Sequence, residues 1–154
     1  MCPKVGPSEL SRITSDYESH KPCNILLAED DMHMRLLLTV NLKKRGYSVI
    51  EAEDGFQLAD LIQSEAVNEY NANPVEAIIS DIRMPGPGTL KVLKELRKVD
   101  WVMPIFLITA FGDEVVHLEA RKLGAYIFDK PFEVSHLMSR LMAAVPPRRP
   151  RTVA

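Results

Sequence analysis

Five short, largely apolar runs recur along the chain, each followed by a segment whose apolar residues fall at helical spacing. The runs are "NILLA" (24–28), "SVIEA" (48–52), "AIIS" (77–80), "PIFLIT" (104–109) and "YIF" (126–128). The segments between and after them are "MHMRLLLTVNLKKRG" (32–46), stopping at Gly46, "FQLADLIQSEAVNEY" after Gly55, "TLKVLKELRKV" (89–99), "DEVVHLEARKLG" (113–124), ending at Gly124, and "VSHLMSRLMAAV" (134–145). Strands this apolar are covered on both faces, which is the pattern of a parallel sheet. Right-handed crossovers then set helices on both sides, giving a doubly wound α/β domain of three layers.

The 154 residues suffice for one domain with a proper core and are too few for two ordinary ones. A formal net charge of −2 gives no general field for nucleic acid or an anionic membrane, so no direct nucleic-acid binding is expected. The longest apolar run, "VMPIFLITAF" (102–111), is interrupted by Pro104 and is about half of what a membrane span needs. Residues 1–22 are polar with scattered prolines and read as an arm, 23–145 as the domain, and "PPRRPRTVA" (146–154) as a linker or loose end. Cys2 and Cys23 both lie toward the N-terminus and read as unpaired thiols on that arm, which suits a reducing cytoplasm.

In a doubly wound sheet, sites form where the strands end. The first run ends in Glu29, Asp30 and Asp31, the third in Asp81, the fourth in Thr109 and the fifth in Asp129, Lys130 and Pro131. If the first and third strands are neighbours, Glu29, Asp30 and Asp81 converge. Packed carboxylates repel one another and have raised pKa values unless a cation sits among them, and hard oxygen ligands of this kind suit Mg²⁺. Lys130 adds a point positive charge and Thr109 a hydroxyl donor, both fitted to phosphoryl oxygens. Asp31 reads instead as a helix N-cap, and Asp129 as solvent-facing. His20, His33, His117 and His136 read as surface residues without metal spacing, and Met32, Met34, Met138 and Met142 as packing.

"ILLAEDD", "SDIRMPG", "LITA" and "FDKPF" resemble, in that order, the four signature blocks of the response-regulator receiver domain, over about residues 23–144. The resemblance implies a flavodoxin-like (βα)₅ fold of strand order 2-1-3-4-5. It makes Asp81 the phosphoacceptor, attacking as a carboxylate nucleophile. It makes Asp30 a direct Mg²⁺ ligand with Glu29 as its acidic partner, and the backbone carbonyl of Arg83 a further ligand. Thr109 becomes the switch hydroxyl and Lys130 the lysine that pairs with the phosphoryl group, with a cis Lys130-Pro131 bond. Asp54-Gly55 matches a turn after the second strand. A histidine kinase or histidine phosphotransfer partner is then the donor, and an output domain or protein the recipient. Homodimers are frequent in the family, and the sequence does not decide the point.

Three features depart from the pattern. The fifth run is short, with Ile127 where the family commonly has a switching aromatic, so either Tyr126 switches from a shifted register or that readout is absent. The loop after Asp81 reads "MPGPGT", with Thr89 expected to cap the next helix. Asp30 and Asp81 stand 51 residues apart, with a surplus expected in "SEAVNEYNANPVEA" (64–77). Arg83 and Phe111 flank the site in the family, and a bulky Phe111 implies a long-lived phosphoaspartate. A Mg²⁺-dependent phosphohydrolase with an aspartate nucleophile is the competing reading, and it would carry an acid where Arg83 stands. A receiver that works without phosphorylation is the third.

Overall fold

The computed structural model describes residues 6–8, 11–12, 21–64, 73–110 and 114–148. Five parallel strands form one sheet in the order β2-β1-β3-β4-β5. They are β1 Asn24–Ala28, β2 Ser48–Ala52, β3 Val75–Asp81, β4 Ile105–Ala110 and β5 Tyr126–Lys130. The helices that flank the sheet are α1 Met32–Lys44, α2 Gly55–Gln63, α3 Thr89–Arg97, α4 Glu114–Lys122 and α5 Val134–Ala144.

Alternation along the strands sends successive side chains to opposite faces, and each face has its own core. Ile25 and Leu27 of β1, Ala77 and Ile79 of β3, Phe106 and Ile108 of β4, and Phe128 of β5 meet Leu38 and Leu42 of α1 and Leu137, Met138 and Leu141 of α5. Leu26, Ala28, Ile78, Ile105 and Leu107 point the other way, against Leu58 of α2, Leu93 and Leu96 of α3 and Ala120 of α4. Phe106 and the leucines and isoleucines of β1, β3 and β4 are fully buried, each worth about 1.5–3 kcal/mol relative to exposure. This two-sided burial is why the runs read as apolar throughout.

The strand ends run further than the sequence pattern indicates. β3 begins at Val75, before "AIIS", and β5 carries Asp129 and Lys130, so it is no shorter than β1 or β2. Backbone pairing explains this: Thr109 and Ala110 pair with Asp129 and Lys130, so the ladder continues through polar residues that hydropathy alone ends at Phe128. α2 stops at Gln63, and residues 65–72, in the expected insertion, lie outside the described residues.

Two packing expectations need correction. Cys23 belongs to the core, buried with Tyr47 and Ile25 and in no disulfide, its thiol donating to the Pro146 carbonyl at 3.5 Å, because it immediately precedes β1. Met32 and Met142 are exposed, whereas Met34 and Met138 pack against the core. Met32 lies on the outer face of α1 with Leu36, Leu37 and Val40, all exposed; the helix is apolar on both sides, so spacing could not tell its inner face from its outer. Among the described residues no helix is long and apolar enough to cross a membrane.

Candidate functional site

Parallel pairing of β1 with β3, Ala28 opposite Ser80, carries the residues after β1 and the last residue of β3 to one edge. Carboxylate oxygens of Glu29, Asp30 and Asp81 there lie within 4.8 Å of one another. Glu29 and Asp81 are buried, while Asp30 opens to solvent.

Each acid is held differently. Asp81 Oδ2 accepts from Lys130 Nζ at 2.6 Å, and its Oδ1 accepts from the Arg83 amide at 3.0 Å. Glu29 Oε1 accepts from the Asp31 amide at 3.2 Å, but its Oε2 is buried with no hydrogen-bond partner. Burial, and then the charge of Asp81, push the Glu29 carboxyl up to about 7 from 4.5, against the smaller opposing effects of the Asp31 amide and Lys130. Burial works to lower the Lys130 pKa, but the hydrogen bond and charge of Asp81, with Glu29 and Asp30 behind them, outweigh it and leave it raised. An orphaned buried oxygen on an acid that resists ionising marks a place short of positive charge. The oxygen donor set and the open side at Asp30 fit a hard divalent cation.

The surrounding turns are built on specific side chains. Asp31 is the N-cap of α1, accepting from the amides of His33 and Met34 at 2.8 and 3.0 Å. Asp54 caps α2 through the Gln57 amide. Gly55 passes so close to the loop after Asp81 that a Cβ would stand 2.5 Å from the Pro87 carbonyl oxygen, and its amide donates to Pro85 O at 2.8 Å. Gly86, at φ +107°, backs onto the Phe56 ring. The Lys130-Pro131 peptide bond is cis.

Thr89 is not a cap. Gly88 holds that position without a side-chain bond, and the buried Thr89 hydroxyl donates to the Asp81 carbonyl at 3.1 Å. The sequence reading missed this support because N-cap preference and a bond to a distant carbonyl call for the same residue type.

Thr109 is buried on β4, one residue beyond Ile108, the register partner of Asp81, and its hydroxyl donates to the Ala110 carbonyl at 3.3 Å. Tyr126 pairs with Phe106 on the face away from Thr109, its ring stacked on Phe106 at 4.8 Å. Ile127 is on the face shared with Thr109, because Leu107-Ile127 and Thr109-Asp129 are successive pairs of the same parity. Asp129, expected to face solvent, meets His117 of α4 at 2.6 Å, so His117 is no idle surface histidine. Nothing in the sequence signalled this pair, since its members meet only once α4 packs on β5. His136 is exposed and lies edge-on to Phe128. Phe111 lies outside the described residues.

The model of the response regulator receiver domain matches residues 25–142. The chain belongs to that family. It is 32% identical over 135 residues to the transcriptional regulatory protein GlrR of Escherichia coli, covering 87% of this chain and 29% of that protein. It is 34% identical over 126 residues to the C4-dicarboxylate transport transcriptional regulatory protein DctD of Pseudomonas aeruginosa, covering 81% and 26%. The receiver thus spans under a third of those relatives, but 93% of the sporulation initiation phosphotransferase F of Bacillus subtilis, to which it is 26% identical over 79% of its own length. Among solved structures, the receiver domain of a Francisella response regulator superposes with TM-score 0.67 at 25% identity, covering 79% of this chain and 95% of that one. The receiver domain of the hybrid histidine kinase CckA gives 0.61 at 25% identity, covering 79% and 98%.

Proposed function

We propose that this receiver accepts a phosphoryl group on Asp81 from a histidine kinase or histidine phosphotransfer protein, with Mg²⁺ held by Glu29, Asp30, Asp81 and the backbone carbonyl of Arg83. The observation that carries this is the buried Asp81 carboxylate, gripped by Lys130 at 2.6 Å and set within 4.8 Å of two further acids, one with an unpartnered oxygen. When bound, the cation offsets the negative charge that builds on the transferring group.

The residues of the chain divide the rest of the work. Asp81 supplies the oxygen that bonds to phosphorus as the donor's P–N bond breaks. The Arg83 amide fixes Oδ1, which leaves the oxygen now facing Lys130 to turn toward the donor. Lys130, kept charged by the acids around it, transfers its contact to the incoming oxygens. Thr109 exchanges its weak bond to Ala110 for a phosphoryl oxygen, and the β4–β5 side of the domain follows. The result is a shift between two populations of one fold. Met32, Leu36 and Phe56, all exposed near this edge, offer the donor an apolar landing surface.

The chain acts as a stoichiometric acceptor in the cytoplasm rather than as a turnover enzyme, and passes its state to an output domain or protein. The aspartate-nucleophile hydrolases carry a second acid two residues after the nucleophile; here that residue is Arg83. Purified chain incubated with Mg²⁺ and acetyl phosphate is expected to gain one phosphoryl mass, absent from Asp81→Asn. No gain would overturn the proposal, and continuous release of phosphate over many equivalents would favour the hydrolase.

A further inference from the structure

We infer that Arg35, on the first turn of α1, is a positioning residue for the cation-binding acids; the inference rests on the reading of Glu29, Asp30 and Asp81 as a Mg²⁺ site. Arg35 makes no contact with those carboxylates. Its Nη1 donates to the backbone carbonyl of Glu29 at 2.8 Å, while Nε lies 3.7 Å from Glu51 and Nη2 3.6 Å from Glu53. Only 13% of its side chain is exposed. Glu51 is itself tied to α1 by the Thr39 hydroxyl at 3.0 Å.

The peptide backbone at Glu29 is therefore held from two directions. Its amide donates to the Ala52 carbonyl of β2 at 3.0 Å, and its carbonyl is taken by Arg35. That carbonyl belongs to the peptide joining Glu29 to Asp30, so the guanidinium sets the plane from which both acids project. The constraint has something to do, because the Glu29 carboxylate has only one bond of its own and its Oε2 is unpartnered. An acid so loosely satisfied keeps its direction through its backbone. A guanidinium suits the task because its donors spread in a fixed plane toward three oxygens, which a lysine cannot match.

The sign of the effect separates this role from two duller ones. Removing a nearby positive charge should, by Coulomb's law alone, strengthen cation binding. A purely structural role would lower stability and leave the affinity unmoved. Loss of a positioning contact instead weakens binding, by about tenfold where outer-shell partners of metal ligands are removed.

The test is calorimetric titration of the full chain with Mg²⁺ at fixed ionic strength, with urea unfolding run in parallel. Arg35→Met is expected to bind Mg²⁺ about tenfold more weakly than wild type. Arg35→Lys keeps the charge and the fold and is expected to fall between them. Unchanged or tighter binding in either folded variant would overturn the inference. Absence of Mg²⁺ binding by the wild type would overturn the cation reading beneath it, an outcome visible before any variant is made.

Discussion

Glutamine in place of Glu29 should make the receiver more stable in the absence of Mg²⁺, though the residue is invoked as part of its working site. The Glu29 carboxyl rises from 4.5 to about 7 on folding, mainly through burial and secondarily through the charge of Asp81. At about 1.4 kcal/mol per unit this amounts to about 3 kcal/mol. Below pH 4.5 both folded and unfolded chains hold the proton. Between 4.5 and 7 the unfolded chain ionises while the folded one still binds it, so stability falls as pH rises and levels off just above 7. The other shifted carboxyls, Asp31 and Glu119, are lowered and act below this window, while Lys130, Cys23 and Tyr47 are raised and act above it.

A glutamine mimics the protonated acid, keeps an oxygen for the Asp31 amide and turns a donor toward Asp81. Urea unfolding across pH 4.5–8 without divalent cations should show the wild type losing about 3 kcal/mol and Glu29→Gln staying flat. The variant should be the more stable by up to that amount at pH 8. Adding Mg²⁺ at a hundred times its dissociation constant should restore about 2.7 kcal/mol to the wild type and less to the variant. Parallel pH profiles, or a variant less stable than wild type at pH 8, would refute the electrostatic account.

Other consequences follow from single contacts. Gly55→Ala puts a Cβ 2.5 Å from the Pro87 carbonyl oxygen, so the loop after Asp81 must shift; a loss of about 1–3 kcal/mol is expected in the urea midpoint, with slower phosphorylation by acetyl phosphate. The partly exposed His117–Asp129 pair, 2.6 Å apart, should show a coupling of about 0.5–1 kcal/mol in a cycle of His117→Ala and Asp129→Asn; strict additivity would show that the contact contributes nothing. Thr89→Val removes one of the two hydroxyls, with that of Ser80, that donate to the buried Asp81 carbonyl, and should cost about 0.5–1.5 kcal/mol. Thr89→Ser should therefore recover most of the loss, read as the urea midpoint.

Much of the fold was legible because burial leaves a mark on the chain itself. Strands covered on both faces must be apolar in succession, and helices between them must carry an inward stripe, so the alternation of elements and the edge where they end could be read directly. The acids were legible too, since Glu29, Asp30 and Asp81 end runs that are otherwise apolar. Residues whose role depends on a distant partner were not legible. Thr89 looked like a cap until its hydroxyl met Asp81, and Asp129 looked solvent-facing until α4 brought His117 to it. Cys23 looked like part of an arm until the core closed over it.

Hydropathy and turn chemistry are local, so the order of strands and helices along the chain, and the edge at which the charged residues collect, are written in the residues themselves. Tertiary structure alone decided which face of α1 is buried, that Ile127 rather than Tyr126 shares a face with Thr109, and that Glu29 keeps an unpartnered oxygen. These depend on strand register and on groups brought together from far along the chain, and a single residue's shift in register would have reversed the second of them.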